Sequence, residues 1–238
     1  VSNGGVSYAT GDIGTNVGLT GGYNPLNVIG EIHPIPDNST ASCATDLTIV
    51  YTYLNTLPFD IELLYPAQFG RNLVLTPHTY LLNAATTLTD TLYLNALGNE
   101  SAVFVIQING FLSTSTYSKV ILINGAQANN VYWKVDGAVS INDYSQCVGT
   151  IICNNGAINV ELGTVLTGRV LTTTGAVSTS AMTVNATEIP ANCSSSIGIA
   201  TTEQNSSNQS ASVYPNPFSS AATIMCTNVS SSNPNTLK

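Results

Sequence analysis

Residues that could carry proton-transfer or covalent chemistry are sparse and poorly grouped. Cleaving a polysaccharide takes paired carboxylates, or a base beside an acidic cluster that holds a metal. Asp136, Asp143, Glu161, Lys134 and Arg169 fall in the most regular part of the sequence. Asp136 and Glu161, however, do not share a position there, and no acidic pair recurs on one strand face. His33 and His78 sit in proline-flanked loops (His33-Pro34, Pro77-His78) and read as polar surface residues. The cysteines are Cys43, Cys147, Cys153, Cys193 and Cys226. They form no CxxC pair and have no histidine spacing, so a zinc site is not expected. Cys147 and Cys153 flank an extended run. Unless Gly149 folds the chain back sharply, their Cα atoms lie beyond the roughly 7 Å limit of a disulfide, and any bridge is expected to be long-range. The odd count leaves at least one thiol free or intermolecular. No enzyme, metal or cofactor is expected.

Charge is equally scarce. Charged residues make up 8% of the 238, against roughly 25% in an ordinary soluble protein. The basic residues are Arg71, Lys119, Lys134, Arg169 and Lys238, and the net charge is −8. Neutralising phosphates needs clustered Lys and Arg, which argues against nucleic acid and, by the same reasoning, against anionic membranes. No run reaches the roughly 18 apolar residues of a membrane span, and no signal-peptide core is visible. Solubility must come from Ser, Thr, Asn and modest negative charge, an extracellular style of surface. The numbering begins inside what reads as structured sequence, so an earlier segment is expected.

Small residues, by contrast, recur in register. Gly137-Ala138-Val139, Gly156-Ala157-Ile158 and Gly175-Ala176-Val177 are spaced 19 residues apart, and Asn130-Val131-Tyr132-Trp133, Gly149-Thr150-Ile151-Ile152 and Gly168-Arg169-Val170-Leu171 keep the same period. Two motifs at one period mean stacked copies of one unit. Strand-like runs between Gly turns, with no helical pattern, make that unit a coil of a β-solenoid. In the Gly-Ala column Val139, Ile141, Ile158, Val160 and Val177 alternate with smaller residues. With a period of two, the branched residues go inward. Ala138, Ser140, Ala157, Asn159, Ala176 and Ser178 then form a flat, uncharged outer face, with Asp136, Asn155 and Thr174 along its edge. In the other column Val131, Tyr132, Trp133, Val135, Ile151 and Ile152 are apolar on nearly every position, which suits a strand covered on both sides. Trp133 and Ile152 are placed outward, under a cover. The third side, around Cys147-Val148 and Thr164-Val165, is too short in sequence to judge.

The cover is a helix. Leu47, Val50, Tyr51, Leu54 and Leu57 mark one helical face over about residues 40–57, and Pro58 stops it. Residues 59–71 are irregular and apolar, a possible cap over one end of the stack. Less regular strands follow from Leu73. From Pro190 to Ser212 the chain is rich in Ser, Asn and Thr and reads as a flexible linker. Residues 213–238 are too few to bury a second core.

Two resemblances follow from particular stretches. Ala102 to Gly110, Gly125 to Val135, Gly168-Arg169-Val170-Leu171 with Gly175-Ala176-Val177, and Thr10-Gly11-Asp12-Ile13-Gly14-Thr15 together resemble the microbial ice-binding protein family of bacteria and fungi, over residues 1–189. The resemblance implies a mainly β, right-handed discontinuous parallel β-helix of triangular section. One long α-helix packs along a face, and the N-terminal strand is inserted among the later coils. Tyr214-Pro215-Asn216-Pro217-Phe218 resembles the start of the C-terminal sorting domain of the Bacteroidetes type IX secretion system, of which only the first part is present. Jointly they imply a secreted or cell-surface protein of a cold-adapted bacterium. They also imply a partner that is ice, met as a monomer through the residues of the Gly-Ala column. The alternatives are a cell-surface ice adhesin, which needs a tether, and a polysaccharide-binding or -degrading solenoid, which lacks its carboxylate pair. In the family Thr is frequent where this chain has Ser.

Overall fold

The computed structural model describes residues 1–186, 209–214 and 223–228. Within Val1–Ser195, a compact unit, the chain winds through three columns of parallel strands. The first column is a seven-stranded sheet. In spatial order it runs Phe69–Gly70, Thr86–Thr89, Leu112–Thr114, Val139–Ile141, Ile158–Val160, Val177–Ser180 and Ser2–Gly4. The second, helix-side column includes Ile61–Glu62, Thr79–Leu82, Phe104–Ile108 and Val131–Val135. The third includes Leu73–Leu75, Thr91–Asn95, Lys119–Ile123, Thr183–Asn185, Tyr8–Thr10 and Val28–Ile29. Gln146–Cys153 and Val165–Thr172 are long enough to serve both the third column and the helix-side column, bending at Gly149 and Gly168. Among the described residues this is the mainly β solenoid expected from the repeat, with the one α-helix expected from its apolar face. Gln209–Tyr214 and Thr223–Asn228 pair antiparallel in a separate unit. The first of these strands begins inside the stretch read as a linker, where Ser210-Ala211-Ser212-Val213 alternates polar and apolar. The rest of the expected linker and sorting segment lies outside the described residues.

The N-terminal strands do not sit between two of the later coils. They stack on the outer side of the last one, Ser2 beside Ser178 and Tyr8 beside Thr183. The segment around Gly21 to Ile29 then stacks beyond them. Residues 61–75 form the coil at the other end of the stack rather than an irregular plug, pairing with Tyr80, Leu88 and Leu92.

Branched and aromatic side chains from all three columns fill the centre, among them Leu88, Leu112, Ile141, Ile158, Ile106, Trp133, Ile151, Leu92, Val120 and Leu166. Trp133 therefore points inward, contrary to the sequence expectation. Its indole N–H donates to the Val148 carbonyl at 2.9 Å, and its ring meets Phe69 edge-on at 6.4 Å. A buried Trp needs such a partner for its N–H. The outward phase of that column is Gln107, Lys134 and Ile152, buried by what packs over them. The cover is the helix Asn38–Thr56, which begins two residues earlier than expected. Asp37 caps it, accepting from the Ser39 amide, and the restriction on a residue before proline ends it at Leu57.

Three contacts seat the helix. Leu54 is fully buried, while Val50, on the expected apolar face, stays partly exposed. Gln107 Nε2 donates to the carbonyls of Leu54 and Leu57 at 2.9 and 3.0 Å, satisfying acceptors that a helix C-terminus leaves open. The Tyr51 hydroxyl donates to Asp136. Burial first, and then Asp136, push the Tyr51 phenol up from 10.0 to about 12. A folded-state pKa raised above the unfolded one gives stability that is complete below pH 10 and lost as pH rises toward 12. Tyr51→Phe is accordingly expected to flatten the fall in melting temperature across that window, read by thermal unfolding at stepped pH.

Cys147 and Cys153 are buried free thiols. Cys43 is disulfide-bonded. His33 is not the plain surface residue its loop suggested. Its Nδ1 lies 2.6 Å from Asp37 and its Nε2 lies 3.7 Å from Asp12, tying the N-terminal segment to the helix cap. The Ser39 amide first, and His33 after it, hold the Asp37 carboxyl below its usual range.

Candidate functional site

On the first column, Ser140, Asn159 and Ser178 stand directly opposite one another, and the row runs further than the repeat revealed. Thr87 pairs with Ser113, Ser113 with Ser140, Ser140 with Asn159, Asn159 with Ser178, Ser178 with Ser2, and Ser2 with Gly21. One residue back lies an inward residue, apolar at Leu112, Val139 and Ile158 and a buried threonine at Thr86. Two residues back lies a second outward row. Its backbone ladder is continuous: Ala138, Ala157 and Ala176 accept from the amides of Leu112, Val139 and Ile158 at 2.8–3.0 Å. All six predicted side chains of the two rows are at least partly exposed, none of them is charged, and parallel strands repeat about every 4.7–4.9 Å.

The flatness has a local cause. Glycine precedes each of these alanines because the backbones of successive coils touch there. A Cβ on Gly156 would lie 2.4 Å from the Gly137 carbonyl carbon, and one on Gly175 would lie 1.7 Å from the Gly156 oxygen. Two side chains pin this corner from inside. Cys153 Sγ donates to the Gly137 carbonyl at 2.7 Å, and Thr172 Oγ1 donates to that of Gly156 at 2.8 Å. Burial raises the Cys153 thiol pKa, which keeps it protonated as a donor.

The expected edge is partly as read. Asn155 and Thr174 are exposed, and Thr174 Oγ1 donates to Asn155 Oδ1 at 3.2 Å, so the two side chains are held at the coil spacing. Asp136 does not share that edge. Its carboxylate turns to the helix side, 2.5 Å from Lys134 Nζ and bonded to the Tyr51 hydroxyl. It is a structural ion-pair partner and does not line the face. Lys134 is itself buried, so neither member of this pair is free for acid–base chemistry.

Missed from sequence were Ser2, Thr87 and Ser113. Gly110-Phe111-Leu112-Ser113 repeats the pattern of Gly137-Ala138-Val139-Ser140, but 27 residues earlier instead of 19, and a fixed period passes over it. Hydroxyl pairs extend the row at both ends, Thr87 to Ser113 at 3.1 Å and Ser2 to Ser178 at 3.2 Å.

The third column offers no comparable surface. Its outward residues include Val74 (49% exposed), Lys119, Gln146, Val165 (40%) and Tyr8 (55%), which are bulky, uneven and in one case charged.

Residues 1–185 match the sequence model of a family described as ice-binding-like. The chain is 35% identical to "Ice-binding protein 1" of Shewanella frigidimarina (strain NCIMB 400) over 144 residues, 59% of this chain and 16% of that one. It is 30% identical to an "Ice-binding protein" of Flavobacterium frigoris (strain PS1) over 186 residues, 71% of this chain and 64% of that one. Among solved structures, an ice binding protein from an Antarctic bacterium, Flavobacteriaceae, superposes with a TM-score of 0.76 at 60% identity, over 77% of this chain and 44% of that one. The chain spans less than two thirds of the length of each of these relatives.

Proposed function

The chain belongs to the ice-binding-like family, and from that premise we propose that it adsorbs to ice through the first face. Ala138, Ser140, Ala157, Asn159, Ala176 and Ser178 make the contact, with Asn155 and Thr174 at its edge. Ice presents neither charge nor pocket, only a periodic array of water. A protein can match it with a rigid plane whose side chains are short enough to order water between them and whose hydroxyls and amides anchor that water. The observation that carries this reading is the pair of outward rows, small and uncharged from the coil of Ala138 to that of Ala176, which among the described residues occur on the first column and not on the third.

Adsorbed protein pins the advancing ice front, lowers the temperature at which a crystal grows and slows recrystallisation. The work is done by adsorption, with no catalytic step. The scarcity of charge supports a secreted or cell-surface setting, in which residues 1–189 form the binding domain. The tail from residue 213 serves there as a sorting signal after a linker at 190–212. A monomer suffices, since each coil of the face comes from one chain.

A seeded single ice crystal held just below its melting point in dilute protein tests the proposal. Faceting with arrested growth is expected. Free circular growth at every concentration would sink it.

A further inference from the structure

The row containing Ala138, Ala157 and Ala176 continues one coil further, and there it holds Phe111. Leu112 pairs with Val139 on one side and Thr86 on the other. The Phe111 carbonyl accepts from the Thr86 amide at 2.9 Å, as the Ala138 carbonyl does from Leu112. Phe111 is thus in register with Ala138 and, beyond it, with Ala85. It is 50% exposed. Phe111 directly precedes the strand Leu112–Thr114 and keeps its place in the hydrogen-bonded ladder; with side chains roughly perpendicular to the sheet, as along a strand, a phenyl ring in a row of methyl groups rises above the plane its neighbours define. The hydroxyl row beside it does not stop at this point, since Ser113 and Thr87 follow Ser140 in line and are hydrogen-bonded to each other.

We infer that Phe111 is the boundary of the ice-contacting surface. It holds a planar lattice away from the coils of Ser113 and Thr87, and confines contact to the five coils that carry Ser140, Asn159, Ser178, Ser2 and Gly21. This rests on the proposed use of the first face and adds what limits its extent. The hydroxyls of Ser113 and Thr87 are built for the face and kept out of use by one side chain.

The test compares thermal hysteresis of the full chain with its Phe111→Ala, Thr87→Tyr and Ala157→Tyr variants and the Phe111→Ala/Thr87→Tyr double variant, at equal molar concentration, with thermal unfolding as the control for folding. Removing the ring opens seven coils where five were in contact, so hysteresis in Phe111→Ala is expected to rise about 1.4-fold, in proportion to the coils engaged. Thr87→Tyr alone is expected to leave hysteresis unchanged, and in the Phe111→Ala background to cancel the gain. An unchanged or reduced hysteresis in folded Phe111→Ala overturns the boundary role. A loss in Thr87→Tyr alone overturns it too, whether or not Phe111→Ala folds. Ala157→Tyr separates the two ideas: if it keeps full hysteresis, the choice of face has failed, and if it loses hysteresis while Phe111→Ala gains none, only the boundary has.

Discussion

Replacing Ala157 with Tyr is expected to remove thermal hysteresis while leaving the fold intact. Ala157 lies between Ala138 and Ala176 in the outward row, at the middle of the contact area rather than its edge. A Tyr there projects well past methyl groups repeating every 4.7–4.9 Å or so, and no shift of a rigid stacked face can bring the neighbouring coils back to one plane. The position is partly exposed and directly precedes the strand Ile158–Val160, a setting in which an aromatic residue is well tolerated. Stability should therefore change by no more than about 0.5 kcal/mol. Gln146→Tyr, on an exposed position of the third column, is the matched control and should retain full hysteresis. Circular dichroism melts and hysteresis measured on the same preparations decide the matter. An Ala157→Tyr protein with native hysteresis would show that the first face is the wrong one.

What the sequence revealed of this fold, and what it hid, follows from how each coil turns its corners. Between the last three coils the two passages from the third column to the helix side are bends inside one strand, Gln146–Cys153 and Val165–Thr172. Nothing is inserted, and the repeat keeps one period. In the preceding coils the same passage is a loop, between Asn95 and Phe104 and again between Ile123 and Val131, where Ala128–Asn130 forms a turn of 3-10 helix. Those loops lengthen the spacing, and with it disappear Ser113 and Thr87, although their strands are aligned as well as the rest. Ser2 was hidden for a different reason: its partner Ser178 is 176 residues away, and only the discontinuous stacking of the N-terminal strands joins them.

The inward and outward phases were legible where residue types alternate and illegible where they do not. Val139-Ser140-Ile141 and Ile158-Asn159-Val160 gave the correct orientation, since a buried-intermediate-buried or buried-exposed-buried pattern is what the structure shows. Val131-Tyr132-Trp133-Lys134-Val135 carries no such alternation. The inward place of Trp133 is fixed by its hydrogen bond across the coil and its contact with Phe69, neither of which spacing can foretell. The helix was visible in its apolar face. Its docking was not, because it depends on the polar residues Gln107, Lys134 and Asp136 beneath it.

That docking makes Asp136→Ala the substitution with the largest expected cost to stability. Lys134 is 2% exposed. Its ammonium has Asp136 at 2.5 Å, Asn109 Oδ1 at 3.4 Å and the Tyr51 ring centroid at 5.7 Å. Only the first of these is a strong interaction. Deleting the carboxylate strands a buried cation and removes the acceptor of the Tyr51 hydroxyl, and losing one partner of such a pair costs about 3–5 kcal/mol. The reverse deletion is cheap. Asp136 keeps a third of its side chain in solvent, so in Lys134→Met it stays hydrated, while the methionine adds apolar surface beside Ile152, its neighbour in the column. A cost of about 1 kcal/mol or less is expected there, since exchanging a buried ion pair for apolar packing is often neutral. The double variant should resemble Lys134→Met alone. Urea unfolding of the three proteins measures this ordering, and equal losses in both single variants would mean that the pair does not seat the helix. Neither substitution touches an outward side chain of the first face, so hysteresis per folded molecule should be unchanged in all three.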